Sequence, residues 1–369
     1  MTKFWRVKRE AQRLWQQLAS IPAFFIEYFQ QKKYDLNFND LVEVFDGTDQ
    51  ATSQYAIVLS YQPKGLSRSS LFTCEHLKRN GYKVFLISNA RLAPQDLSQL
   101  KSLTWKIMIR PNFGYDFGGY RDGIRWLKQK KILPSRLLLL NDSTWYPLYS
   151  EDHLLRRIHE SSADCVGALQ LDKIRQPGKV VFESYFYSFS GTFFVSEIFT
   201  AFWANYLLSN IKQRAISNGE KKFSKIMLNA STDYKGIFTS SEFLELLKKQ
   251  DSNFLQKTLL YAAYVDDSYK TSGIDLLQRF DLTEDWHSAV VQHVAAVCRR
   301  RHFHASFCYA TIRLLGVPFL KKSHLPLHIR MRQQYCKAVL NGDLPRPSSK
   351  SMLDEIQSHD SPSPSDACC

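Results

Sequence analysis

Short apolar runs alternate with amphipathic stretches along this chain from about residue 55. Four apolar runs are typical of buried strands, at residues 55–61, 82–88, 105–110 and 136–140. Between them, apolar residues three and four positions apart predict helices at 69–80, which ends at Gly81, and at 119–130. Strands that alternate with helices predict a parallel or mostly parallel sheet with helices on its faces.

The pattern changes in the second half of the chain. A helix from residue 148 to about 160 leads into a strand at 164–171. Two aromatic runs, 182–189 and 192–195, flank Ser190-Gly191 and predict a hairpin. Beyond Ser196 the pattern is mainly helical, with helices predicted at 199–208, 222–229, 241–250 and 286–299.

Both ends of the chain differ from the middle. Residues 1–33 combine helical spacing of apolar residues with seven basic residues against two glutamates. This composition fits a helix at an anionic membrane surface, and equally a helix packed on the main domain with a solvated basic face. The last stretch, from about residue 341, is rich in Pro and Ser and predicts a disordered tail.

These patterns predict four parts of the chain. They are a basic amphipathic helical segment (1–50), an α/β domain (51–240), a helical C-terminal region packed on that domain (241–340) and the tail (341–369).

Composition excludes several classes of protein. The chain has 369 residues, 44% of them hydrophobic, which is enough for a large core. No apolar run approaches the roughly 18–20 residues that span a bilayer, so an integral membrane protein is excluded. The seven cysteines are scattered without a C-x-x-C pair, which indicates neither a zinc ribbon nor a disulfide framework. We therefore expect a reducing, cytoplasmic location.

The net charge of +14 calls for an anionic partner, such as nucleic acid, anionic lipid or a diphosphate substrate. The basic clusters lie towards the two ends of the chain, whereas the motif-rich middle carries aspartates, so we expect no nucleic-acid partner. Six of the ten histidines lie between residues 287 and 328. Their spacing matches no zinc pattern, and we expect a solvated basic face there or a surface for an anionic acceptor or membrane.

The first candidate site is the stretch 110–119, RPNFGYDFGG, which leaves the third predicted strand and enters a helix. Its glycines would let backbone N–H groups approach a ligand, and the helix N-terminus favours phosphate. Asp116 suits ribose or base donors, or the waters of a metal ion. A tight turn with an aspartate cap is the alternative interpretation. The candidate residues for binding this phosphate-containing ligand are Arg110, Asn112, Gly114, Asp116, Gly118 and Gly119.

The second candidate site is Asn141-Asp142-Ser143, directly after the apolar run 137–140. A carboxylate at the end of an interior strand is costly to desolvate without a partner. At this edge of a sheet that partner is often Mg²⁺ or Mn²⁺, which prefers oxygen ligands and bridges to phosphates. Asn141 would add a carbonyl oxygen and Ser143 a hydroxyl. The alternative is that Asp142 caps the next turn.

Segments 112–123 (NFGYDFGGYRDG) and 138–147 (LLLNDSTWYP) resemble the rhamnan synthesis protein F family of bacterial surface-polysaccharide proteins. Further matching segments are 183–189 (ESYFYSF), 199–203 (FTAFW) and 317–322 (VPFLKK), so the resemblance covers roughly residues 55–322. More distantly, the order of motifs is similar to that of inverting nucleotide-sugar glycosyltransferases. The resemblance implies a glycosyltransferase A-type (Rossmann-like) α/β fold, in which a mostly parallel sheet is flanked by helices, with helical N- and C-terminal additions.

The resemblance also implies an activity. The chain would move a sugar, rhamnose by implication, from a nucleoside-diphosphate donor to a lipid-linked polysaccharide intermediate at the inner face of the cell membrane. The alternative is a non-catalytic component of an assembly complex that binds the nucleotide-sugar or the polysaccharide.

The implied roles fall on particular residues. Asp142 would act in catalysis and hold a divalent cation, Mg²⁺ or Mn²⁺, although Asn141-Asp142 stands where the distant class has two spaced aspartates. Asp233 is the candidate general base, with helix capping as its alternative, and the family tends to carry a glutamate close to this point. Further candidate residues are Ser60, Tyr61, Ser88 and Asn89 for the nucleoside, and Tyr185, Tyr187 and Ser190 for the acceptor side.

Overall fold

The computed structural model of the protein describes residues 21–172, 180–228 and 232–360. The predictions for residues 1–20 and 361–369, including most of the basic segment and the end of the tail, lie outside the described residues. None of the described helices combines the length and the hydrophobicity needed to cross a membrane.

A single large mixed sheet organises the described residues. Its strands run in the order β1-β4-β3-β2-β5-β9-β7-β10, with β8 paired to β7, and a small ribbon of β6 and β11 lies apart. The strands are β1 Glu43–Asp46, β2 Gln54–Ser60, β3 Lys83–Ser88, β4 Lys106–Ile109, β5 Arg136–Asn141, β6 Thr144–Trp145, β7 Cys165–Asp172, β8 Val180–Phe182, β9 Phe186–Ser190, β10 Tyr234–Phe238 and β11 Leu320–Lys321.

Helices cover both faces of this sheet and form the C-terminal region. They are α1 Ile21–Leu36, α2 Phe38–Leu41, α3 Arg68–Arg79, α4 Pro94–Leu103, α5 Tyr115–Gln129, α6 His153–His159, α7 Gly191–Val195, α8 Glu197–Asn205, α9 Lys212–Ala215, α10 Lys222–Met227, α11 Ser240–Leu247, α12 Ser252–Leu260, α13 Asp267–Gln278, α14 Glu284–Cys298, α15 Phe303–Ser306, α16 Cys308–Leu315, α17 Pro326–Leu340 and α18 Lys350–Ser358. A π-helical turn, Ile216–Lys221, joins α9 to α10.

The direction of the strands decides where a ligand can bind. Strands β4, β3, β2 and β5 are mutually parallel, whereas β9 is antiparallel to both β5 and β7. The predicted α/β fold with a mostly parallel sheet flanked by helices is therefore confirmed. From β2 the chain proceeds outward to β3 and β4 and then returns to the other side of β2 as β5. The carboxyl ends of β2 and β5 thus form a topological switch point, the position where open α/β sheets bind ligands.

Alternate residues of the central strands enter different cores. Ala56 and Val58 of β2 pack in one core with the C-terminal helices, and Ile57 and Leu59 pack in the other with α5. Burial on both faces explains why these strands are continuous apolar runs rather than alternating ones.

The predicted hairpin at Ser190-Gly191 was wrong. Residues 186–190 form β9, but the following aromatic run is the short helix α7. The Ser190 hydroxyl accepts a hydrogen bond from the N–H of Phe193, so the apparent turn signal is a helix N-cap. The elements missed include the helix α4 and the strand β10, which pairs parallel to β7.

The ends of the described chain are more ordered than their composition suggested. Part of the segment 1–50 is indeed the helix α1, but Glu43–Asp46 pairs with β4 as an edge strand. The disordered tail was wrong for residues 341–360, where α18 forms and Leu344, Met352 and Ile356 are buried. These three apolar side chains, together with the hydrogen bonds that Glu355 accepts from Ser69 and Trp145, dock this Pro- and Ser-rich segment on the core. The division of the chain into the four parts 1–50, 51–240, 241–340 and 341–369 remains a prediction.

Candidate functional site

Asp142 lies at the switch point and ties β2 to β5. Its Oδ2 accepts hydrogen bonds from the hydroxyl of Ser60 (3.0 Å), the N–H of Tyr61 (2.9 Å) and the side chain of Gln62 (3.0 Å). Its own N–H donates to the carbonyl of Leu59. The side chain is half-buried, and the described residues offer no hydrogen bond to Oδ1. One carboxylate oxygen is therefore fixed by the protein, and the other remains for a ligand.

The glycine-containing loop and the Asn–Asp pair converge, as the sequence predicted. Asn141 donates from Nδ2 to Oδ2 of Asp116, in the first turn of α5, at 2.7 Å. The Oδ1 of Asn141 accepts from both the N–H and the hydroxyl of Ser143. Asp116, Asn141, Asp142 and Ser143 thus form one polar surface at the carboxyl edge of the sheet.

Two lysines from the far end of the chain line this surface. β11 pairs antiparallel with β6, directly after Asp142, which brings Lys321 opposite Thr144. The Nζ of Lys321 lies 3.0 Å from the hydroxyl of Ser143 and 4.1 Å from the centre of the Tyr185 ring. Burial lowers the pKa of Lys322, which the charge of Asp142 opposes. The charge of Asp116 acts on Lys321 and that of Asp142 acts on Lys322, so each ammonium group lies within electrostatic range of one carboxylate that the sequence singled out.

Glu220 adds a further carboxylate to the site. It lies in the π-helical turn, a helix type that is frequent at functional sites, and accepts from the hydroxyl of Ser184 at 2.8 Å. Burial raises the pKa of Glu220. Its charge also contributes to the pKa shifts of Asp116 and Lys321, so the three groups share one electrostatic environment.

Asp116 is the most strongly perturbed carboxyl group here. Burial, followed by the nearby charge of Asp142, raises its pKa from 3.8 to about 6. Lys321 and the hydrogen bond from Asn141 oppose this rise. A carboxyl group with such a pKa changes its charge close to neutral pH, which is common at binding and catalytic sites.

We expect Asp116→Asn to change how stability depends on pH. Because the pKa of Asp116 is higher in the folded state, its contribution to stability is fully present below about pH 4 and is lost as the pH rises through about 6. Relative to the variant, the wild type should lose on the order of 2 kcal/mol of unfolding free energy between pH 4 and pH 7. Urea denaturation across this range measures the difference. Parallel curves for the two proteins would contradict the raised pKa.

Arg110 was assigned to donor binding, and the structure contradicts that assignment. Its guanidinium is fully buried and pairs with the equally buried Asp122 at 2.6 Å. It also donates to Oδ1 of Asn89 (2.7 Å) and to the carbonyl of Phe113 (2.6 Å). Tyr34 of α1 donates to the same aspartate at 2.5 Å. Arg110 therefore holds the ends of β3 and β4 together, and Asn89 is engaged in this network rather than facing a ligand.

Gly114, Gly118 and Gly119 likewise have roles in the fold rather than in ligand binding. Gly114 has φ +84°, which favours glycine, and its N–H donates to Asn210. The N–H of Gly118 donates to the carbonyl of Gly114. A Cβ on Gly119 would lie 2.2 Å from a methyl group of Leu59, so glycine lets α5 pack closely on β2. The N–H groups of Gly114 and Gly118 are therefore not available to a phosphate.

Of the remaining predicted residues, two contact Asp142 and two do not. Ser60 and Tyr61 contact it directly. Ser88, at the end of β3, donates to the carbonyl of Ala90, and Asn112 is exposed beside Asn89. Within the described part of the chain, these two residues border the site without a hydrogen bond to its carboxylates.

Asp233 lies at the opposite edge of the sheet, which contradicts its assignment as the general base. It precedes β10, and its carbonyl accepts from the N–H of Cys165 at the start of β7. Strand pairing places it in the row of Arg136, six residues before Asp142, or roughly 20 Å along a strand. Ser190 pairs with Arg136 in this row, so it is excluded from the acceptor side as well.

The sequence did not identify Lys321, Lys322 and Glu220 as residues of the site. The lysines were visible within the matching segment VPFLKK, but nothing local showed that this segment pairs with the strand after Asp142. Glu220 lies in a polar helical stretch with no distinguishing spacing. Tyr185 and Tyr187 are buried, which favours the core interpretation of that aromatic run, although Tyr185 also carries Lys321 on its ring.

Comparisons with known proteins agree with the sequence motifs. The model of the rhamnan synthesis protein F family matches residues 84–265. An uncharacterized protein of Sinorhizobium fredii, y4gN, is 30% identical over 256 residues, which are 69% of this chain and 67% of that protein.

Two solved structures show a weaker likeness. The mannosyltransferase Ktr4p of S. cerevisiae matches 44% of this chain and 62% of its own, with 9% identity and a TM-score of 0.27. The glycosyltransferase GlyE of Streptococcus pneumoniae matches 74% of this chain and 66% of its own, with 12% identity and a TM-score of 0.28. The chain spans less than two thirds of the length of each of these two proteins.

Proposed function

This chain belongs to the rhamnan synthesis protein F family, and from that premise we propose that it is a glycosyltransferase of polysaccharide synthesis. It moves a sugar from a nucleoside-diphosphate donor to a lipid-linked saccharide, with inversion, and rhamnose is the sugar that the family's name suggests. The observation that carries this proposal is the meeting of Asp142, Asn141 and Asp116 with two lysines at the switch point of the sheet.

The charges at this site suit a leaving diphosphate. Departure of the sugar leaves negative charge on the diphosphate, and preorganised cations lower the barrier most when they face that charge. Lys321 contacts Ser143 and Lys322 lies within electrostatic range of Asp142, and together they supply two positive charges. Ser60 and Tyr61, at the end of β2, border the same surface and are suited to the nucleoside.

The donor set also fits a divalent cation. Asp142 keeps Oδ1 unengaged within the described residues, and the charge of Asp142 raises the pKa of Asp116, as expected for two carboxylates that face each other. Oxygen ligands of this kind suit Mg²⁺ or Mn²⁺. Asp142 and Asp116 are the residues that would hold the ion, which would supply further neutralisation of the diphosphate.

Glu220 replaces Asp233 as our proposed general base. It shares the electrostatic environment of Asp116 and Lys321, and its hydrogen bond from Ser184 orients the carboxylate. A carboxylate with a raised pKa is a better acceptor for the proton of a sugar hydroxyl than one with an ordinary pKa.

A thermal-shift panel tests the donor site. Nucleoside diphosphates and nucleotide sugars, each with and without Mn²⁺, should raise the melting temperature of the full chain by mass action, because they bind the folded state. At a concentration of 100 times Kd the stabilisation is about 2.7 kcal/mol. If no nucleotide shifts the melting temperature under either condition, the donor site is wrong.

We further propose that α1 places the enzyme on an anionic membrane at the cytoplasmic face, where a lipid-linked acceptor would lie. One face of α1 docks on the domain through Glu27, which accepts from Ser209, and through Gln31, which donates to the carbonyl of Tyr206. The opposite face carries Phe29 and Leu36, which are 65% and 85% exposed, together with two lysines. An exposed apolar face beside basic residues is typical of interfacial helices.

Leu36→Asp should weaken binding to vesicles that contain phosphatidylglycerol. Loss of one buried leucine costs roughly 1.5–3 kcal/mol, so we expect at least about a tenfold decrease in the partition coefficient, measured by co-sedimentation. Leu282→Asp is the matched control, because Leu282 is also exposed (74%) but lies outside α1. Equal binding by both variants would exclude α1 as the membrane contact.

A further inference from the structure

Three histidines that the sequence scatters come together beside the site. His302 directly precedes α15, His304 lies within α15, and His328 lies in the first turn of α17. One ring nitrogen of each lies within 4.8 Å of those of the other two. His304 and His328 are buried, whereas the side chain of His302 is 43% exposed. The cluster is therefore compact and open to solvent on one side.

The protein leaves coordinating atoms of this cluster without partners. The Nδ1 of His304 is buried and has no hydrogen-bond partner among the described residues, which is costly for a polar atom. The Nδ1 of His328 lies 2.7 Å from the hydroxyl of Ser323, a contact that orients the ring and leaves Nε2 for a ligand. Such a second contact is typical of histidines that bind metals.

A carboxylate is in place near the third histidine. Oε1 of Glu183 lies 3.7 Å from Nδ1 of His302. Burial of His304 and His328 disfavours a charge on either ring, and neutral imidazole is the form that coordinates a metal.

We propose that His302, His304 and His328 form a transition-metal site of the zinc type, with Glu183 as the fourth ligand. Three imidazoles and one oxygen ligand suit tetrahedral Zn²⁺. With bonds of about 2.0–2.1 Å the ligand atoms would lie roughly 3.4 Å apart, so the three rings need to close by at most about 1.4 Å. The carboxylate of Glu183, which lies 3.7 Å from His302 but outside the group of three histidines, also has to turn towards the ion.

The proposed metal site lies next to residues that position Glu220 and Lys321. Glu183 precedes Ser184, whose hydroxyl orients Glu220. The ring of His304 packs against Phe319, which in turn packs against Tyr185 beneath Lys321. A bound metal therefore joins α15, α17 and the entry to β9, and it fixes the wall that carries Lys321. The metal stabilises this wall of the donor site and does not contact the donor.

A second group of possible ligands serves as the internal comparison. His324, His359 and Asp360 also lie within ligand distance of one another. However, both oxygens of Asp360 accept from Arg332, and Nε2 of His359 contacts the carbonyl of Lys322. Both oxygens of Asp360 and Nε2 of His359 are thus already engaged, and we expect no metal there.

Cobalt titration of the full, chelator-treated chain tests the proposal, because tetrahedral Co²⁺ absorbs strongly in the visible range. We expect one equivalent of tetrahedral Co²⁺ per chain, displaced by Zn²⁺. His302→Ala and His304→Asn should weaken binding by at least about tenfold. His324→Ala is the control and should bind like the wild type. His302 is part-exposed, so its variant should keep the melting temperature of the metal-free wild type.

The outcomes separate clearly. Loss of the cobalt spectrum in His302→Ala, with retention in His324→Ala, supports the three-histidine site. Absence of a tetrahedral spectrum in the wild type overturns it. So does a spectrum that survives both His302→Ala and His304→Asn, or one that disappears in His324→Ala.

Discussion

Asp142→Asn should decrease sugar transfer and donor hydrolysis by about 10²–10³-fold while the chain stays folded, an effect typical of losing one preorganised electrostatic contact. The asparagine oxygen can occupy the place of Oδ2 and keep the hydrogen bonds from Ser60, Tyr61 and Gln62. What the variant loses is the charge and the second carboxylate oxygen that faces the site. Initial rates with the donor identified by the thermal-shift panel measure the change.

Two further variants show whether a decrease in rate is specific to the carboxylates of the proposed site. Asp233→Asn is the matched control and should leave both rates unchanged, because Asp233 lies at the opposite edge of the sheet. Glu220→Gln should retain donor binding but lose transfer by about 10²-fold or more, as expected for a general base. If Asp142→Asn keeps wild-type rates, the catalytic assignment fails. A wild type that binds nucleotide sugars but turns none over would instead favour the non-catalytic binding component.

Arg110→Met should be the most destabilising of the substitutions considered, by about 3–5 kcal/mol, because it removes one partner of a buried ion pair. Asp122 would keep its hydrogen bond from Tyr34 (2.5 Å) and a contact with Arg121 (3.6 Å), but its charge would no longer be neutralised at short range. The acceptor atoms of Asn89 and Phe113 would also lose their donor. The midpoint of urea denaturation measures the effect.

Arg79→Met provides the comparison for this prediction. Arg79 pairs with Glu75 at 2.6 Å, but its side chain is 71% exposed, so we expect a change of at most about 0.5 kcal/mol. Adding Asp122→Asn to Arg110→Met should recover part of the stability, since the unpaired charge is then removed. Equal effects of Arg110→Met and Arg79→Met would show that the buried pair contributes no more than an exposed one.

The parts of the fold that the sequence predicted are those with strong local signals. The apolar runs of β2, β3 and β5 are buried on both faces, and no other element accommodates such runs so well. β10 was missed because its first residues are exposed and because its pairing with β7 is not a local property. Ser190-Gly191 was misinterpreted because the same residue types begin helices and form turns.

The site was predictable only in its central part. Polar residues that follow neighbouring parallel strands must meet at one edge, which is why Ser60, Asn141 and Asp142 were found together. Arg110 resembled a phosphate ligand, and its burial against Asp122 could not be read from spacing. The edge on which Asp233 lies follows from the direction of β10, which had not been recognised. The histidine cluster depends on how α15 and α17 pack and has no signature along the chain.

The pairing of β11 with β6 has a consequence for synthesis of the chain. Lys321 enters from a point near the end of the sequence, and Glu355 of α18 accepts hydrogen bonds from both Ser69 and Trp145. During translation, Asp116 and Asp142 leave the ribosome long before Lys321 and Lys322. The nascent protein therefore holds these carboxylates without their lysines until residues 321 and 322 have emerged and β11 can pair with β6.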